Sequence, residues 1–276
     1  MLKKIWEKIY MYDSWKKWNI TTIMVWVHGN EKSWIIALDE IINKLEITSW
    51  KVYFIYANLK AIKQNKRFIE KNMNRCFLKN QSWKTYEEKR TKEIMKILDK
   101  SDYLLDVHNT TSFNSSQIFL ISEYKDFWKY FDVKYVISWF DKLHPWWSDG
   151  YINSIWKKWF CIECGSINFW DKNQTLEFAK KSIINFLKVT KNIDWKPQIY
   201  NNNIKYLKFD YIYKNKSLEF KFTKEFKDFE FVEKWKTIAY DKNEKLNTMQ
   251  DSYILFPYNP KKLNDECFCL GYENYL

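Results

Sequence analysis

The sequence predicts an α/β fold, with a mixed sheet covered by helices on both faces and a small all-β region at the C-terminal end. Residues 1–195 alternate apolar strand-like runs with amphipathic helical patterns, which is typical of a sheet between two helical layers. From about Lys196-Pro197 onward, the pattern changes to period-2 alternation without helices. We therefore predict two domains, which comprise residues 1–195 and 196–276.

The elements of the first domain follow from hydrophobic periodicity. Short apolar runs predict strands at residues 20–27, 51–57, 102–107, 117–121, 135–138 and 159–163. Apolar residues at helical spacing predict helices over residues 35–45 and 176–187. A Thr85-x-x-Glu88 capping box predicts where a third helix begins.

The second domain shows only strand-like segments. They are IKYLKFDYIY, SLEFKF, FEFVEKW, TIAY, YILF and CFCL, and turn-forming Asn, Asp and Lys residues separate them. The alternation of apolar and polar residues in these segments predicts strands that bury one face.

Charge and hydropathy restrict the class of protein. The chain of 276 residues carries a formal net charge of +12, supplied almost entirely by lysines that are interleaved with Asp and Glu. Nucleic-acid-binding proteins usually cluster their basic residues on one face, so this composition does not favour that class, which we keep as a third alternative. No apolar run reaches 18 residues and no apolar segment follows the basic N-terminus, so we predict a cytoplasmic protein without a membrane span.

The cysteines allow two interpretations. The five are Cys76, Cys161, Cys164, Cys267 and Cys269, and an odd count without a secretion signal argues against a disulfide framework. The Cys161-x-x-Cys164 and Cys267-x-Cys269 pairs could form a four-thiolate zinc site. Both pairs lie in strand-like runs, however, where a free cysteine is an ordinary buried residue.

The chain contains only 4 glycines but 16 tryptophans. An average chain of this length has roughly 19 glycines, at about 7% of its residues. Four glycines do not readily supply the positive-φ positions of a large fold, and many of the tryptophans lie in turn-like or lysine-rich segments. We hypothesise that many of these Trp residues are glycines in the native organism, encoded by UGA codons that were translated as Trp.

Two of the three histidines, His28 and His108, directly follow apolar strands. In open α/β sheets, ligand-binding residues lie at the carboxyl ends of strands. Glu31 lies three residues after His28, so these side chains would provide two imidazoles and one carboxylate, a ligand set of catalytic zinc. The alternative is a pair of structural histidines, but the His-x-x-Glu spacing and the two strand ends favour a metal site.

Other polar residues are candidates for the reaction itself. Glu163 ends the strand over 159–163, where its carboxylate is either a base for a metal-bound water or a solvent-facing side chain. Arg67 and Arg75 lie close together in a lysine-dominated chain that has only three arginines. Either these positions need the planar guanidinium, which grips a carboxylate through two hydrogen bonds, or the pair arose by chance, and the lysine-rich composition favours the first interpretation.

These residues together resemble the succinylglutamate desuccinylase/aspartoacylase family of zinc-dependent N-acyl amino acid deacylases, which have a zinc carboxypeptidase-like catalytic domain. HGNEKSW (28–34) resembles the family's HGNE-x-x-G with Trp in the Gly place, and DVHNT (106–110) resembles its Asp-x-His-Asn-Thr segment. NLKAIKQNKRFIEKNMNRCF (58–77) and WWSDGYINSIWKKWFCIECG (146–165) resemble its Asn-Arg-x-Phe and Glu-x-Gly regions. The resemblance covers roughly residues 20–170, and it improves where Trp is read as Gly.

The resemblance implies a catalytic domain over residues 1–195 and a set of roles. The implied ligands of one Zn²⁺ per chain are His28, Glu31 and His108. The implied substrate-binding residues are Arg67, Asn74 and Arg75. Glu163 is implied to take a proton from the zinc-bound water and to protonate the leaving amine, while Arg67 helps zinc to stabilise the oxyanion. Arg75 is implied to clamp the carboxylate of the substrate.

Two features depart from the family pattern. Asn72 stands where the family usually has Asp before x-Asn-Arg, and no Arg exists beyond residue 90. Both departures leave the accepted acyl group open. Asp106 shares a strand face with His108, where it either orients this ligand or has a buried structural role.

Two other functions are compatible with the same residues. The main alternative is a zinc carboxypeptidase-like peptidase that trims a peptide C-terminus or a cell-wall fragment. The second is a non-catalytic binding protein that keeps the fold. For the favoured interpretation, we expect a small-molecule N-acyl amino acid substrate and neither a nucleic-acid nor a membrane partner, and the sequence does not predict the oligomeric state.

Overall fold

The structure is a computed structural model of the chain, in which residues 2–14, 19–31, 33–49, 51–110, 118–166, 172–201 and 203–274 are described. Its main feature is a 12-stranded mixed sheet, and a separate 3-stranded sheet lies in the C-terminal region. The predicted mixed α/β fold with a small C-terminal sheet is thereby confirmed.

The first region supplies most of the large sheet and the helices that cover it. Its strands are β1 (Leu2–Trp6), β2 (Ile9–Asp13), β3 (Ile20–Val25), β4 (Lys51–Tyr56), β5 (Tyr103–Thr110), β6 (Ile118–Ile121), β7 (Tyr135–Ser138) and β8 (Lys158–Ser166). Its helices are α1 (Ser33–Ile42), α2 (Leu59–Gln64), α3 (Tyr86–Leu98), α4 (Lys125–Trp128), α5 (Phe140–Leu143), α6 (Ser148–Ser154) and α7 (Lys172–Val189). Each element predicted from periodicity in this region is present, with ends shifted by a few residues because apolar runs mark the buried centre of an element.

The central strands of the sheet are parallel. β3 pairs with β4 on one side and with β5 on the other, and β5 pairs with β8. Parallel strands have their carboxyl ends at one edge of a sheet, so the ends of β3, β5 and β8 meet there. β6 joins β8 in the antiparallel direction, which makes the sheet mixed.

An antiparallel hairpin of β1 and β2 extends the sheet beyond β4. We did not predict this hairpin, because β1 (LKKIW) is largely exposed and has no buried face that would show as alternation. Lysines on an edge strand are a common protection against pairing with another chain.

Helices cover both faces of the sheet, as the alternating burial of β3 shows. Met24 packs in one core cluster, whereas Ile23 and Val25 pack in another on the opposite face. The first cluster includes residues of α3 and α6, and the second includes residues of α1 and α7. Strands buried on both faces explain why their sequences are continuous apolar runs.

The C-terminal region continues the large sheet and adds the small one. Its strands are β9 (Lys205–Lys214), β10 (Phe220–Phe222), β11 (Glu230–Val232), β12 (Thr237–Asp241), β13 (Glu244–Asn247), β14 (Ser252–Leu255) and β15 (Glu266–Glu273). β9 pairs with β7 and is followed across the sheet by β15, β14 and β11, whereas β10, β12 and β13 form the small sheet. The predicted domain boundary at residues 195/196 stays a prediction. In the described part of the chain, no helix combines the length and the apolar character that crossing a membrane requires.

Thr85 caps α3 as its sequence pattern predicts. Thr85 Oγ1 accepts the backbone N–H of Glu88 at 3.3 Å, and Glu88 Oε2 accepts the backbone N–H of Thr85 at 3.2 Å. We expect Thr85→Ala to lower the free energy of unfolding by about 1 kcal/mol, because a helix N–H loses its acceptor. Thr85→Ser keeps the acceptor and serves as the control in chemical denaturation. Equal losses in both variants would contradict the capping role.

Candidate active site and metal centre

A tight turn after β3 carries His28 and Glu31. The turn packs against α2 so closely that a Cβ on Gly29 would lie 2.1 Å from the backbone carbon of Ala61. The backbone N–H of Gly29 also donates to the oxygen of Arg67 at 3.2 Å. Only glycine fits this approach, and the result is that both candidate ligands are buried. The side chain of Trp34, in the same motif, lies outside the described residues.

His108 reaches the same place from the neighbouring strand. Val25 of β3 lies beside Val107 of β5, so the end of one strand is next to the other. We expected His108 to follow its strand, but β5 continues to Thr110 and His108 lies within it. Ligand atoms of His28, Glu31 and His108 all lie within 4.8 Å of one another, as the metal-site prediction requires.

Both imidazole rings present their Nδ1 atom to the Glu31 carboxylate. His28 Nδ1 lies 2.7 Å from Oε1, and His108 Nδ1 lies 3.5 Å from Oε2. On the far side of each ring, His28 Nε2 donates to Asn72 Oδ1 at 3.0 Å and His108 Nε2 to Asp106 Oδ2 at 3.2 Å. Oxygen acceptors behind a ring orient it for metal binding through the other nitrogen. The donor set therefore fits a divalent metal ion.

Burial and neighbouring charges set the protonation of the group. Burial lowers the pKa of His28 to about 4, and Arg67 adds to the effect. Burial also disfavours charge on His108, but the nearby Asp106 and Glu31 raise its pKa well above the usual value. Burial alone would raise the pKa of Glu31, yet His28 and His108 hold it well below its usual range. Glu31 therefore stays ionised and available as a ligand.

Glu163 lies beside this group on β8. It is the direct neighbour of His108 in the parallel pairing of β5 and β8, and its side chain is buried. We expected it at the end of its strand, but β8 continues to Ser166. Burial, together with the negative charge of Glu31, raises the pKa of Glu163 to about 8. Its Oε2 atom has no hydrogen-bond partner among the described residues, so it can bind a ligand or water.

The predicted substrate-binding residues lie on a loop that a buried acid holds. Glu87 of α3 accepts the backbone N–H groups of Ile69, Glu70 and Lys71. The loop brings Arg67 Nη1 to 3.7 Å from Glu31 Oε1. It continues into a 3-10 helix (Met73–Arg75) that contains Asn74 and Arg75.

Asn72, the residue that departs from the family pattern, forms two hydrogen bonds through its side-chain oxygen. Its Oδ1 atom accepts from the backbone N–H of Asn74 and from His28 Nε2, each at 3.0 Å. Both contacts need only an acceptor, which an amide oxygen provides.

All the predicted site residues line one cavity of about 670 Å³. They are His28, Glu31, Arg67, Asn74, Arg75, His108 and Glu163. Sequence reasoning missed further lining residues, which include His144, Trp147, Phe256, Tyr258, Lys261 and Glu266. The last four come from the C-terminal region, where no motif marks them.

The cysteines do not form the alternative zinc site. All five are free and buried. Within the part of the chain that the structure describes, His28, Glu31 and His108 are the single group of three or more potential ligands that could hold a metal ion. The cysteine pairs are therefore buried strand residues.

Comparisons with known proteins identify relatives of the chain. A family model, described as the succinylglutamate desuccinylase/aspartoacylase catalytic domain, matches residues 21–190. A probable aspartoacylase of Trichodesmium erythraeum is 30% identical over 173 residues, which are 55% of this chain and 57% of that protein. An N-acyl-aromatic-L-amino acid amidohydrolase of Danio rerio is 30% identical over 102 residues, or 31% of each chain. The chain thus matches little more than half the length of the first relative and less of the second.

Solved structures share the fold over almost the whole chain. A succinylglutamate desuccinylase from Vibrio parahaemolyticus has a TM-score of 0.77 at 16% identity, covering 96% of this chain and 86% of that one. A succinylglutamate desuccinylase/aspartoacylase from Rhodobacter sphaeroides has a TM-score of 0.73 at 17% identity, covering 97% and 89%. At these identities the likeness concerns the fold.

Asp106, whose Oδ2 atom lies 3.2 Å from His108 Nε2, provides a test of the candidate metal centre. We expect Asp106→Asn to weaken Zn²⁺ binding roughly 10- to 100-fold, because the ring loses the carboxylate that orients it. Competition with a chromophoric chelator measures the affinity. Asp102→Asn is the matched control, since Asp102 pairs with Lys157 nearer the surface, just before β5. Unchanged affinity in Asp106→Asn, or an equal loss in the control, would contradict the orienting role.

Proposed function

The chain belongs to the succinylglutamate desuccinylase/aspartoacylase family, and from this premise we propose that it is a zinc-dependent amidohydrolase that removes the acyl group from an N-acyl amino acid. The observation that carries the proposal is the group of His28, Glu31 and His108, with the buried Glu163 beside it. Metal ligands, a proton-transferring carboxylate and an arginine in one cavity are the parts that hydrolysis of an amide needs.

The proposed cofactor is one Zn²⁺ per chain. Two imidazoles and one carboxylate are a common ligand set of catalytic zinc. His28, Glu31 and His108 would hold the ion, and Asn72 and Asp106 would orient the two rings through their Nε2 atoms. When bound, zinc acts as a Lewis acid and lowers the pKa of a coordinated water.

We assign proton transfer to Glu163. Its Oε2 atom is buried, and without a partner among the described residues it is free to accept a proton from the attacking water. A pKa raised to about 8 lies near neutral pH, where a carboxyl both takes up a proton and gives it up, so Glu163 can deliver the proton to the leaving amine nitrogen. The same group then serves as base and as acid in one reaction.

Arg67 and Asn74 are assigned to the amide itself. The Arg67 side chain is 39% exposed and lies beside Glu31, so its guanidinium reaches both the metal group and the open cavity. There it stabilises the negative charge that develops on the carbonyl oxygen. Asn74 is buried, and its Oδ1 atom lacks a hydrogen-bond partner in the described part of the chain, which suits it to accept an N–H group of the substrate. Arg75 is assigned to the carboxylate of the substrate.

Replacement of Glu163 tests the reaction. We expect Glu163→Gln to lower kcat by roughly 10²- to 10⁴-fold, because an amide cannot transfer the proton. The measurement is turnover of N-acetyl and N-succinyl amino acids by zinc-loaded protein. The variant should retain stoichiometric zinc, and Glu40→Gln, an exposed acid on α1, is the control. A kcat within tenfold of the parent value would remove Glu163 from this role.

The same assay separates the proposal from its alternatives. Faster cleavage of short peptides than of N-acyl amino acids would indicate a carboxypeptidase-like peptidase. Folded protein that binds no zinc and turns over neither class would indicate a non-catalytic binding protein. The cytoplasmic location stays a prediction in either case.

A further inference from the structure

Arg75, the proposed contact for the substrate's carboxylate, already holds a carboxylate of this chain. Its Nη2 atom donates to Glu266 Oε1 at 3.3 Å and to Oε2 at 3.2 Å. Its Nη1 atom donates to the backbone oxygen of Asn74 at 3.2 Å. Glu266 begins β15, and 191 positions separate it from Arg75 in the sequence.

A guanidinium grips a carboxylate through two parallel N–H groups. The two-bond edges are Nη1 with Nη2 and Nε with Nη2, and Nη2 has one N–H group on each edge. A substrate carboxylate that binds the edge on which Glu266 lies must displace Glu266. A substrate carboxylate on the other edge shares the guanidinium with Glu266 and is repelled by its negative charge.

Glu266 has a second cation within reach. Lys214 Nζ lies 3.7 Å from Glu266 Oε1. The Arg75 and Glu266 side chains are 29% and 32% exposed, so an ion in the cavity can compete for the pair.

We propose that Glu266 is a specificity-determining residue that competes with the substrate's carboxylate for Arg75, an inference that rests on the function proposed above. Glu266 neutralises Arg75 until a carboxylate arrives, and it then exchanges Arg75 for Lys214. Every charge keeps a partner through the exchange. Glu266 thus sets how strongly the cavity prefers a carboxylate over a neutral group at this position.

A matched pair of compounds tests the competition. N-acetylglycine and N-methylacetamide carry the same acetamide, and only the first has a carboxylate. In zinc-loaded Glu266→Gln, we expect KM for N-acetylglycine to fall roughly two- to fivefold, in line with the loss of a partly exposed charge pair. The KM for N-methylacetamide should stay unchanged, because it does not need Arg75. Glu244→Gln, which breaks the exposed Lys216–Glu244 pair in the same region, is the control.

Lys214→Met gives the opposite test. The displaced Glu266 then has no second cation, so KM for N-acetylglycine should rise while that for N-methylacetamide does not. Equal changes for both compounds in either variant would show a merely structural contact and overturn the inference. A higher KM for N-acetylglycine in Glu266→Gln would overturn it as well.

Binding separates this inference from the proposed reaction. Calorimetry of N-acetylglycine with Glu163→Gln, and with the same variant carrying Glu266→Gln, needs no turnover. Tighter binding in the double variant supports the competition even if the parent hydrolyses no N-acyl amino acid. Equal binding in the two would overturn the competition and leave the hydrolytic function to its own assay.

A different observation, the backbone conformation, concerns the tryptophans. In the described part of the chain, 12 residues other than glycine have positive φ, and five of these are Trp: Trp26, Trp83, Trp139, Trp156 and Trp235, with φ of 71°, 53°, 66°, 61° and 65°. A bulky side chain rarely adopts this conformation, which glycine adopts freely. Trp156 and Trp235 are also 94% and 60% exposed, so their indoles gain little by packing.

We infer that the native protein has glycine at these five positions, encoded by UGA codons in an organism that reads UGA as Gly. The positive φ at these positions favours glycine, and this observation is independent of the low glycine count of the chain. Trp26 lies two residues before His28, so one of the five is close in sequence to the proposed metal ligands.

The codons of the gene decide this inference. We expect UGA at all five positions, and UGG at any of them would overturn it. The protein gives a second measurement: Trp156→Gly should raise Tm, because a strained, exposed residue is relieved. Trp195→Gly is the control, since Trp195 is 70% exposed but is not among the positive-φ residues. A Tm that falls in Trp156→Gly as far as in the control would count against the inference.

Discussion

A carboxylate that is wholly withdrawn from water determines the rest of the site. Glu31 is 0% exposed, and its two oxygens face ring nitrogens of His28 and His108. An ionised carboxylate in such surroundings is costly unless positive charge and N–H donors compensate it. The backbone N–H of Asn109 supplies one donor at 3.3 Å. The Arg67 guanidinium, whose Nη1 atom lies 3.7 Å from Oε1, supplies positive charge, and His108, whose pKa is raised well above the usual value, adds to it.

A second buried carboxylate, that of Glu87, links the candidate site to the stability of the fold. Gly29 lets the turn approach α2, and the loop that carries Arg67 follows α2. That loop is held by Glu87, which lies in the first turn of α3 next to Glu88 of the capping box. Loss of order at this end of α3 would release the backbone N–H groups of the loop that carries the predicted substrate-binding residues. The start of α3 and the position of these residues are therefore coupled through the buried Glu87 carboxylate.

Short-range patterns in the sequence were sufficient to predict the central strands and the candidate metal ligands. Apolar runs identify the central strands because both faces of these strands are buried, and parallel pairing then brings the ends of β3 and β5 together. The spacing of His28, Glu31 and His108 relative to these strands was therefore enough to assign them to one site. The β1–β2 hairpin was missed because its exposed edge strand shows no alternation. Glu266 and His144 were missed for another reason: their place in the cavity depends on how distant segments pack, which no local pattern encodes.

Two parts of the chain contribute to the wall of the cavity. The metal group, Glu163 and Arg67 all lie within residues 21–190, the segment that matches the family model. Phe256, Tyr258, Lys261 and Glu266 line the same cavity but lie outside that segment. β9 pairs with β7, and β15 pairs with β9. Glu266 of β15 therefore belongs to the same large sheet as His108 of β5. The family match therefore covers the candidate metal ligands and Glu163, whereas Glu266 and its neighbours in the cavity wall come from the C-terminal region outside that match.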